Sequence, residues 1–69
     1  MKKAESFPAR LQRLRERRGL SRTTLSELCG LHKDAVRRYE RGEAVPTVET
    51  LSALADFFEV SLDYLTGRE

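Results

Sequence analysis

Residues 21–41 have the sequence SRTTLSELCGLHKDAVRRYER, and this stretch decides the fold. Its apolar residues recur at helical spacing on both sides of Gly30, which predicts two short helices joined by a tight turn. Ser21 is a suitable N-cap for the first helix, and the second is expected to begin at about Lys33 and to be closed by Gly42. The side chains expected to face inward are Leu25, Leu28 and Cys29 on the first helix and Ala35, Val36 and Tyr39 on the second.

Three residues at fixed spacing indicate how these two helices cross. Ser26 is small, so the second helix can approach the first closely at that point. Gly30, four residues later, allows a turn in which a Cβ atom would be strained. Val36, six residues after Gly30, is placed to fill the angle between the helices. A small residue, a glycine and an aliphatic residue at this spacing are typical of a helix-turn-helix, although helical hairpins also arise by chance in small helical proteins.

The sequence before residue 21 predicts one more helix. Phe7, Leu11 and Leu14 share one helical face, and Gly19 can end the helix in the left-handed conformation. The β-branched residues do not alternate with polar residues as a half-buried strand requires. An all-α fold is therefore expected.

The sequence after residue 42 predicts two further helices. Thr47 is the expected N-cap of the fourth, and Ser61 begins a short fifth helix that ends before Gly67. The apolar residues of these helices are Val48, Leu51, Leu54, Ala55 and Phe58, followed by Leu62 and Leu65. Five helices in 69 residues predict a compact helical bundle formed by a single domain over residues 1–69.

Length and composition exclude several classes of protein. A chain of 69 residues has no room for two lobes with a substrate cleft between them. Its mean hydropathy of -0.56 and the absence of an apolar run near ~20 residues argue against a membrane span. No signal-peptide core follows Met1-Lys2-Lys3, and the single cysteine, Cys29, cannot form an internal disulfide. A reducing cytoplasm is the expected location.

Charge is distributed unevenly along the chain. Residues 1–42 contain twelve Lys or Arg and five Asp or Glu, a net charge of +7. Residues 43–69 contain only Arg68 against six acids, a net charge of -5. A basic segment suits a polyanionic partner, and an acidic remainder would keep the opposite face away from it. The alternative is a solvated surface of uneven charge, and charge alone does not decide between them.

The chain from Leu11 to Gly67 resembles the Cro/phage-repressor-type helix-turn-helix family, also called the XRE family. The matching segments are LRERRGLS (14–21), YERG (39–42), VETL (48–51) and VSLDYL (60–65), with Leu25, Glu27, Gly30, Val36, Arg38, Pro46, Leu54 and Ala55 at the remaining positions. The order of these segments along the chain is far more specific than any one motif. The resemblance implies a lambda-repressor-like five-helix domain whose third helix enters the major groove of double-stranded DNA. It also implies a dimer on a two-fold symmetric operator.

The resemblance also implies which residues contact DNA. They are Ser21, Arg22, His32, Lys33, Asp34, Arg37, Arg38 and Arg41. Arg22 replaces the usual glutamine and is expected, with Arg41 and nearby backbone amides, to contact phosphates. The positions that face base edges are Lys33, Asp34, Arg37 and Arg38. A lysine or arginine side chain can donate to guanine, and an acidic side chain can accept from cytosine.

Two of these residues have an alternative, purely structural role. Asp34 can instead favour the dipole at the start of the third helix, and His32 can act as an imperfect helix cap instead of a phosphate contact. Glu43 occupies a loop position where the family often has lysine, so a phosphate contact there is expected from backbone amides. The resemblance further implies a structural salt bridge between Arg15 and Glu40.

Catalytic and metal sites are not expected. Cys29 and His32 lie three residues apart, but a structural zinc needs four ligands and the chain has no other Cys or His. As a nucleophile and base they lack an orienting third group, and Cys29 occupies a position expected to face the core. The prediction is a protein that is not an enzyme and needs no metal or other cofactor.

The function predicted is that of a sequence-specific transcriptional regulator, a repressor that binds a palindromic operator as a homodimer formed on the DNA. Leu62 and Leu65 are expected to pack internally, which leaves Tyr64 and Thr66 as candidates for the dimer contact. The alternative is a protein-interaction module of the same fold, such as an antitoxin or adaptor. Such a module would carry apolar residues on the third helix, where this chain has Arg37 and Arg38.

Overall fold

The computed structural model describes residues 5–67; residues 1–4, with the Met1-Lys2-Lys3 segment, and residues 68 and 69 lie outside the described residues. Five helices follow one another: α1 (Phe7–Arg17), α2 (Arg22–Leu28), α3 (Ala35–Glu40), α4 (Val48–Phe58) and α5 (Leu62–Leu65). No strand occurs within residues 5–67. The predicted all-α bundle of five helices is confirmed.

Local side-chain caps begin four of the helices. The hydroxyl oxygens of Ser21, Thr47 and Ser61 each accept a hydrogen bond from the backbone N–H three residues later, over 3.0, 3.1 and 3.0 Å. Ser6 caps α1 in the same way, at a longer 3.4 Å. The first three caps were predicted, because Ser and Thr at these positions precede an apolar periodic run; Ser6 was not.

Residues with left-handed backbone conformation end the helices, and Gly30 and Glu59 show two ways in which this happens. Gly30 has φ of +72° and closes the turn after α2, as predicted. Glu59 has φ of +58° and ends α4, and it is the one non-glycine residue within residues 5–67 with positive φ. The sequence gives no signal for this second stop, since a residue with a Cβ atom disfavours the conformation.

The core lies between all five helices. Its fully or nearly fully buried apolar residues are Leu11, Leu14, Leu25, Val36, Leu54, Ala55, Phe58 and Leu65. Cys29, Tyr39 and Phe7 are partly buried against them. The inward positions predicted for these residues are confirmed.

Three residues predicted to face inward are instead exposed. Leu28, Val48 and Leu62 expose 58%, 68% and 41% of their surface. Each is the first or last residue of its helix, where the neighbouring helices no longer cover the side chain. Helical periodicity identifies the inner face of a helix but not how far along that face the core extends.

The α2–α3 crossing depends on a hydrogen bond as well as on a small side chain. The Oγ of Ser26 accepts from the backbone N–H of Val36 over 3.0 Å and donates to the carbonyl of Arg22 over 2.9 Å. Ser26 and Val36 are both fully buried. Because a buried backbone N–H is costly without an acceptor, Ser26 fixes α3 against α2.

A cluster of polar side chains joins α1 to α5. Arg10 donates to the Tyr64 carbonyl over 2.7 Å, and its guanidinium carbon lies 4.2 Å from the centre of the Tyr64 ring. Arg13 donates to the Tyr64 hydroxyl over 3.2 Å, and both arginines donate to the Glu5 carboxylate. The hydrogen bonds that Arg13 donates to Glu5 lower the pKa of that carboxyl group. The hydrogen bond that Arg13 donates to Tyr64 lowers the pKa of that hydroxyl group. Tyr64, predicted to be available for a dimer contact, is therefore engaged within its own chain.

Candidate nucleic-acid interface

A cavity of about 300 Å³ lies between the start of α2 and the turn that precedes α3. Its lining residues are Arg15, Ser21, Arg22, Thr23, Lys33, Asp34 and Arg37. Five of the residues predicted to contact DNA thus surround one concave surface. Four basic side chains and one acid line it, so it is suited to an anionic ligand. We call it the basic cavity.

Ser21 and Arg22 occupy the α2 side of the basic cavity. The Ser21 hydroxyl caps α2 by accepting from the Thr24 backbone and also donates to the Thr24 hydroxyl over 2.8 Å. Arg22 is the first residue of α2 and is exposed, and its side chain makes no hydrogen bond to the described part of the chain. The Arg22 guanidinium is therefore able to donate to a phosphate.

The prediction that α3 begins at about Lys33 is wrong. The helix begins at Ala35, and Lys33 and Asp34 lie in a turn. This turn is closed by the Ala35 N–H, which donates to the His32 carbonyl over 2.9 Å, and by Nδ1 of His32, which accepts from the Asp34 N–H over 3.2 Å. His32 thus stabilises the turn before α3, whereas the N-cap residue of α3 is Asp34 and no side chain caps the helix. Lys33 approaches a ligand from the turn and not from the helix face.

Asp34 and Arg37 form a loose pair on the exposed side of this turn. The Asp34 Oδ1 lies 3.9 Å from the Arg37 Nε, and both side chains are about two-fifths exposed. An exposed pair at this distance contributes little to stability. Both groups therefore stay available to a ligand in the basic cavity.

Arg38 lines a second concavity, of about 210 Å³, on the other side of the turn. Its other lining residues are Leu31, His32, Ala35, Tyr39 and Ala44. Arg38 is exposed and takes part in no ion pair within residues 5–67. Of the eight residues predicted to contact DNA, five line the basic cavity, His32 and Arg38 line this second concavity, and Arg41 lines neither.

Arg41 forms an ion pair with Glu43, a partner that was not predicted from the sequence. The Arg41 Nε donates to the Glu43 Oε2 over 2.9 Å. The sequence does contain a signal for this pair, since Glu43 lies two residues after Arg41 with only Gly42 between them. Arg41 differs in this respect from Arg22 and Arg38.

The Arg15 and Glu40 side chains meet between α1 and the end of α3. The Arg15 Nε and Nη2 donate to the two Glu40 carboxylate oxygens over 2.7 and 3.1 Å, and Nη1 donates to the Leu20 carbonyl over 2.7 Å. The hydrogen bond to Glu40 raises the pKa of Arg15. One guanidinium therefore holds α1, the α1–α2 turn and α3 in fixed relative positions beneath the basic cavity.

Cys29 and His32 are not arranged for catalysis. Burial raises the pKa of the Cys29 thiol, which disfavours the reactive thiolate. The His32 Nδ1 is already occupied by the Asp34 N–H. Within residues 5–67 no three His, Cys, Asp or Glu side chains are close enough to hold a metal ion.

No helix in this part of the chain is long and apolar enough to cross a membrane.

A further cavity, of about 420 Å³, lies elsewhere on the molecule. Leu14, Arg17, Arg18, Phe58, Val60, Ser61 and Tyr64 line it. It shares no lining residue with the basic cavity. Arg17 is thus an exposed arginine that lies away from the predicted DNA contacts.

Comparison with known proteins identifies the family. The helix-turn-helix family model matches residues 11–65, and the chain belongs to that family. The chain is 38% identical over 60 residues to the transcriptional regulator AnsR of Bacillus subtilis, which covers 87% of the chain and 52% of AnsR. It is 34% identical over 55 residues to the cryptic phage CTXphi transcriptional repressor RstR of Vibrio cholerae, covering 77% of the chain and 49% of RstR. The chain spans about half the length of these two regulators.

A solved structure shows the same fold. The P22 c2 repressor, crystallised with a synthetic operator, matches with a TM-score of 0.86 and 26% identity over 94% of this chain and 98% of that one. The predicted resemblance to phage-repressor-type domains is confirmed. The family and the fold are those of transcription regulators and not of enzymes.

Proposed function

We propose that this chain binds a specific double-stranded DNA sequence and regulates transcription in the cytoplasm, as a repressor. The observation that carries the proposal is the basic cavity, where Arg22, Lys33 and Arg37 converge from the two helices of the helix-turn-helix. Phosphate oxygens are the ligands that such a set of guanidinium and ammonium groups prefers. The P22 c2 repressor and RstR, which are named repressors, support the regulatory outcome.

Two kinds of contact are proposed. Arg22 lies at the rim of the cavity and contacts phosphate, which positions the chain without distinguishing sequences. Lys33, Arg37 and Arg38 project around the start and outer face of α3 and contact base edges, with guanine as the preferred base. Asp34, which already lies near Arg37, is proposed to direct that guanidinium and to accept from cytosine where one is present. The domain over residues 1–69 is proposed to suffice for this binding.

A homodimer on a palindromic operator is the proposed binding unit. One short α3 contacts only a few base pairs, and two copies related by a two-fold axis place their helices about 34–36 Å apart, one turn of DNA. The exposed Leu62 on α5 supports a contact between copies there, in place of Tyr64, whose ring is covered by Arg10. Thr66 donates to the Leu62 carbonyl within its own chain, so its methyl group is what remains for a partner.

Selection of bound duplexes from a random pool tests the proposal. Enrichment of a palindromic consensus, with half-sites one DNA turn apart and filled cooperatively in a footprint, is the expected result. An isolated half-site bound equally well by a single copy would contradict the dimer. A pool without any enriched sequence would favour the alternative of a protein-interaction module, which the charged outer face of α3 argues against.

A further inference from the structure

The ion pair between Arg41 and Glu43 distinguishes this chain's α3–α4 loop. Arg41 directly follows α3, and its Nε donates to the Glu43 Oε2 over 2.9 Å. The two side chains are 61% and 44% exposed. A guanidinium predicted to contact DNA phosphate is thus already bonded to an anionic group of its own chain.

The backbone holds Glu43 close to α3. The Glu43 N–H donates to the Arg38 carbonyl over 2.8 Å, and the Gly42 N–H donates to the Tyr39 carbonyl over 3.1 Å. Gly42 has φ of +73°, which completes the pattern of a Schellman helix end. Because these bonds anchor the loop to the last turn of α3, the Glu43 backbone is held where its side chain can reach Arg41.

The chemistry of the pair leads to a competition. Carboxylate and phosphate oxygens are both strong acceptors for a guanidinium, and an exposed ion pair is weak enough to be exchanged. We infer that Glu43 is an intramolecular competitor of DNA phosphate for Arg41 and lowers the affinity of the chain for duplexes of every sequence. The inference rests on the proposed DNA-binding function. Glu43 therefore determines how strongly Arg41 contacts the phosphates of the DNA backbone.

An orienting role for Glu43 is the opposite expectation. Glu43 accepts only from the Arg41 Nε, so the two terminal nitrogens could donate to a phosphate while the pair stays intact. In that arrangement, however, the carboxylate and the phosphate would lie within one Debye length of each other, about 8 Å in physiological salt, and would repel. Repulsion and competition both act against binding, so the net effect of Glu43 is a weaker complex.

The affinity of the full chain for a duplex, measured by fluorescence anisotropy, tests the inference. Glu43→Gln is expected to tighten binding about threefold to tenfold at about 50 mM salt. It should also steepen the slope of log affinity against log salt by about 0.9 for each protomer bound, since one more phosphate per protomer is neutralised. Glu43→Ala should behave in the same way. Thermal unfolding monitored by circular dichroism confirms that each variant is folded.

Two controls separate local competition from a change in net charge. Asp56→Asn removes an exposed acid on α4 that forms no ion pair within residues 5–67, and it should change affinity less than Glu43→Gln does. In an Arg41→Gln background, the Glu43→Gln gain should shrink to that of Asp56→Asn. Equal gains in both backgrounds, or weaker binding by Glu43→Gln, would overturn the inference while leaving DNA binding intact. Absence of any duplex binding by the parent chain would instead overturn the proposed function.

Discussion

The backbone N–H of Val36 donates to the Oγ of Ser26 over 3.0 Å, and neither residue is exposed to solvent. This bond links α2 directly to α3, and residues of both helices line the basic cavity. A serine is small enough for the helices to cross and polar enough to satisfy a buried N–H. Glycine or alanine would meet only the first requirement.

Ser26→Ala is therefore expected to destabilise the fold by about 1–3 kcal/mol, because the Val36 N–H loses its acceptor without gaining water. Urea unfolding followed by circular dichroism measures the change. Thr23→Ala provides the matched control, since Thr23 is exposed on the same helix and should change stability by less than about 0.5 kcal/mol. Equal stabilities of the two variants would show that the Ser26 hydroxyl has no structural role.

The Arg15–Glu40 pair makes a second prediction about stability. The two side chains are only 11% and 4% exposed, so removing one partner leaves a charge in a poorly hydrated site. Glu40→Ala should cost about 3 kcal/mol, whereas the double replacement Arg15→Met with Glu40→Leu should recover much of that loss. Urea unfolding of the single and double variants measures both values. A double variant as unstable as the sum of its single variants would contradict this account.

Stability below pH 5 depends in part on Glu5. Its folded-state pKa is lowered below 4.5 by the hydrogen bond from Arg13, so its stabilising contribution is complete above 4.5 and is lost as the pH falls through the folded-state pKa. Glu5→Gln should be less stable than the parent chain at about pH 6, and the difference should shrink as the pH falls below 4.5 and through the folded-state pKa of Glu5. Unfolding curves across this range measure it. Glu27→Gln breaks no ion pair within residues 5–67 and is the control. If Glu5→Gln and Glu27→Gln changed the free energy of unfolding equally at every pH, the role given to the Glu5 ion pairs would be wrong.

The sequence predicted the number of helices because caps and glycines are local signals. Ser21 and Thr47 act on the backbone three residues away, so their roles are visible in a short stretch of sequence. The exposure of Leu28 depends on which helices cover α2, which only the assembled bundle decides. The Arg10–Tyr64 contact joins residues 54 positions apart, and neither residue type signals the other.

The candidate site was predicted by residue but not by geometry. Lys33 and Arg37 do lie beside one cavity, yet the His32 turn places Lys33 outside α3. That turn is closed by an imidazole nitrogen in place of a hydroxyl, which propensity does not anticipate. The Arg41–Glu43 pair was not predicted, because the resemblance implies a phosphate contact for Arg41 and a lysine at position 43.

Arg38 and Arg22 are expected to differ in their effect on sequence preference. Arg38→Ala should cost about 1–3 kcal/mol at the selected site and relax the preference at particular base pairs. Arg22→Ala should weaken binding to all sequences about equally and flatten the salt dependence. Arg17→Ala removes an exposed arginine from the far cavity and should have little effect. Competition binding with matched and mismatched duplexes measures these differences, and a uniform loss with Arg38→Ala would assign that residue to phosphate.

The salt dependence of duplex affinity tests most directly whether the basic cavity binds DNA phosphates. A dimer with several basic contacts in each half-site should lose on the order of 10³-fold in affinity between about 50 and about 200 mM salt, because each contact releases counterions. The log–log plot should be linear, and its slope should decrease for Arg22→Ala. An affinity that hardly changes over this range would contradict the account.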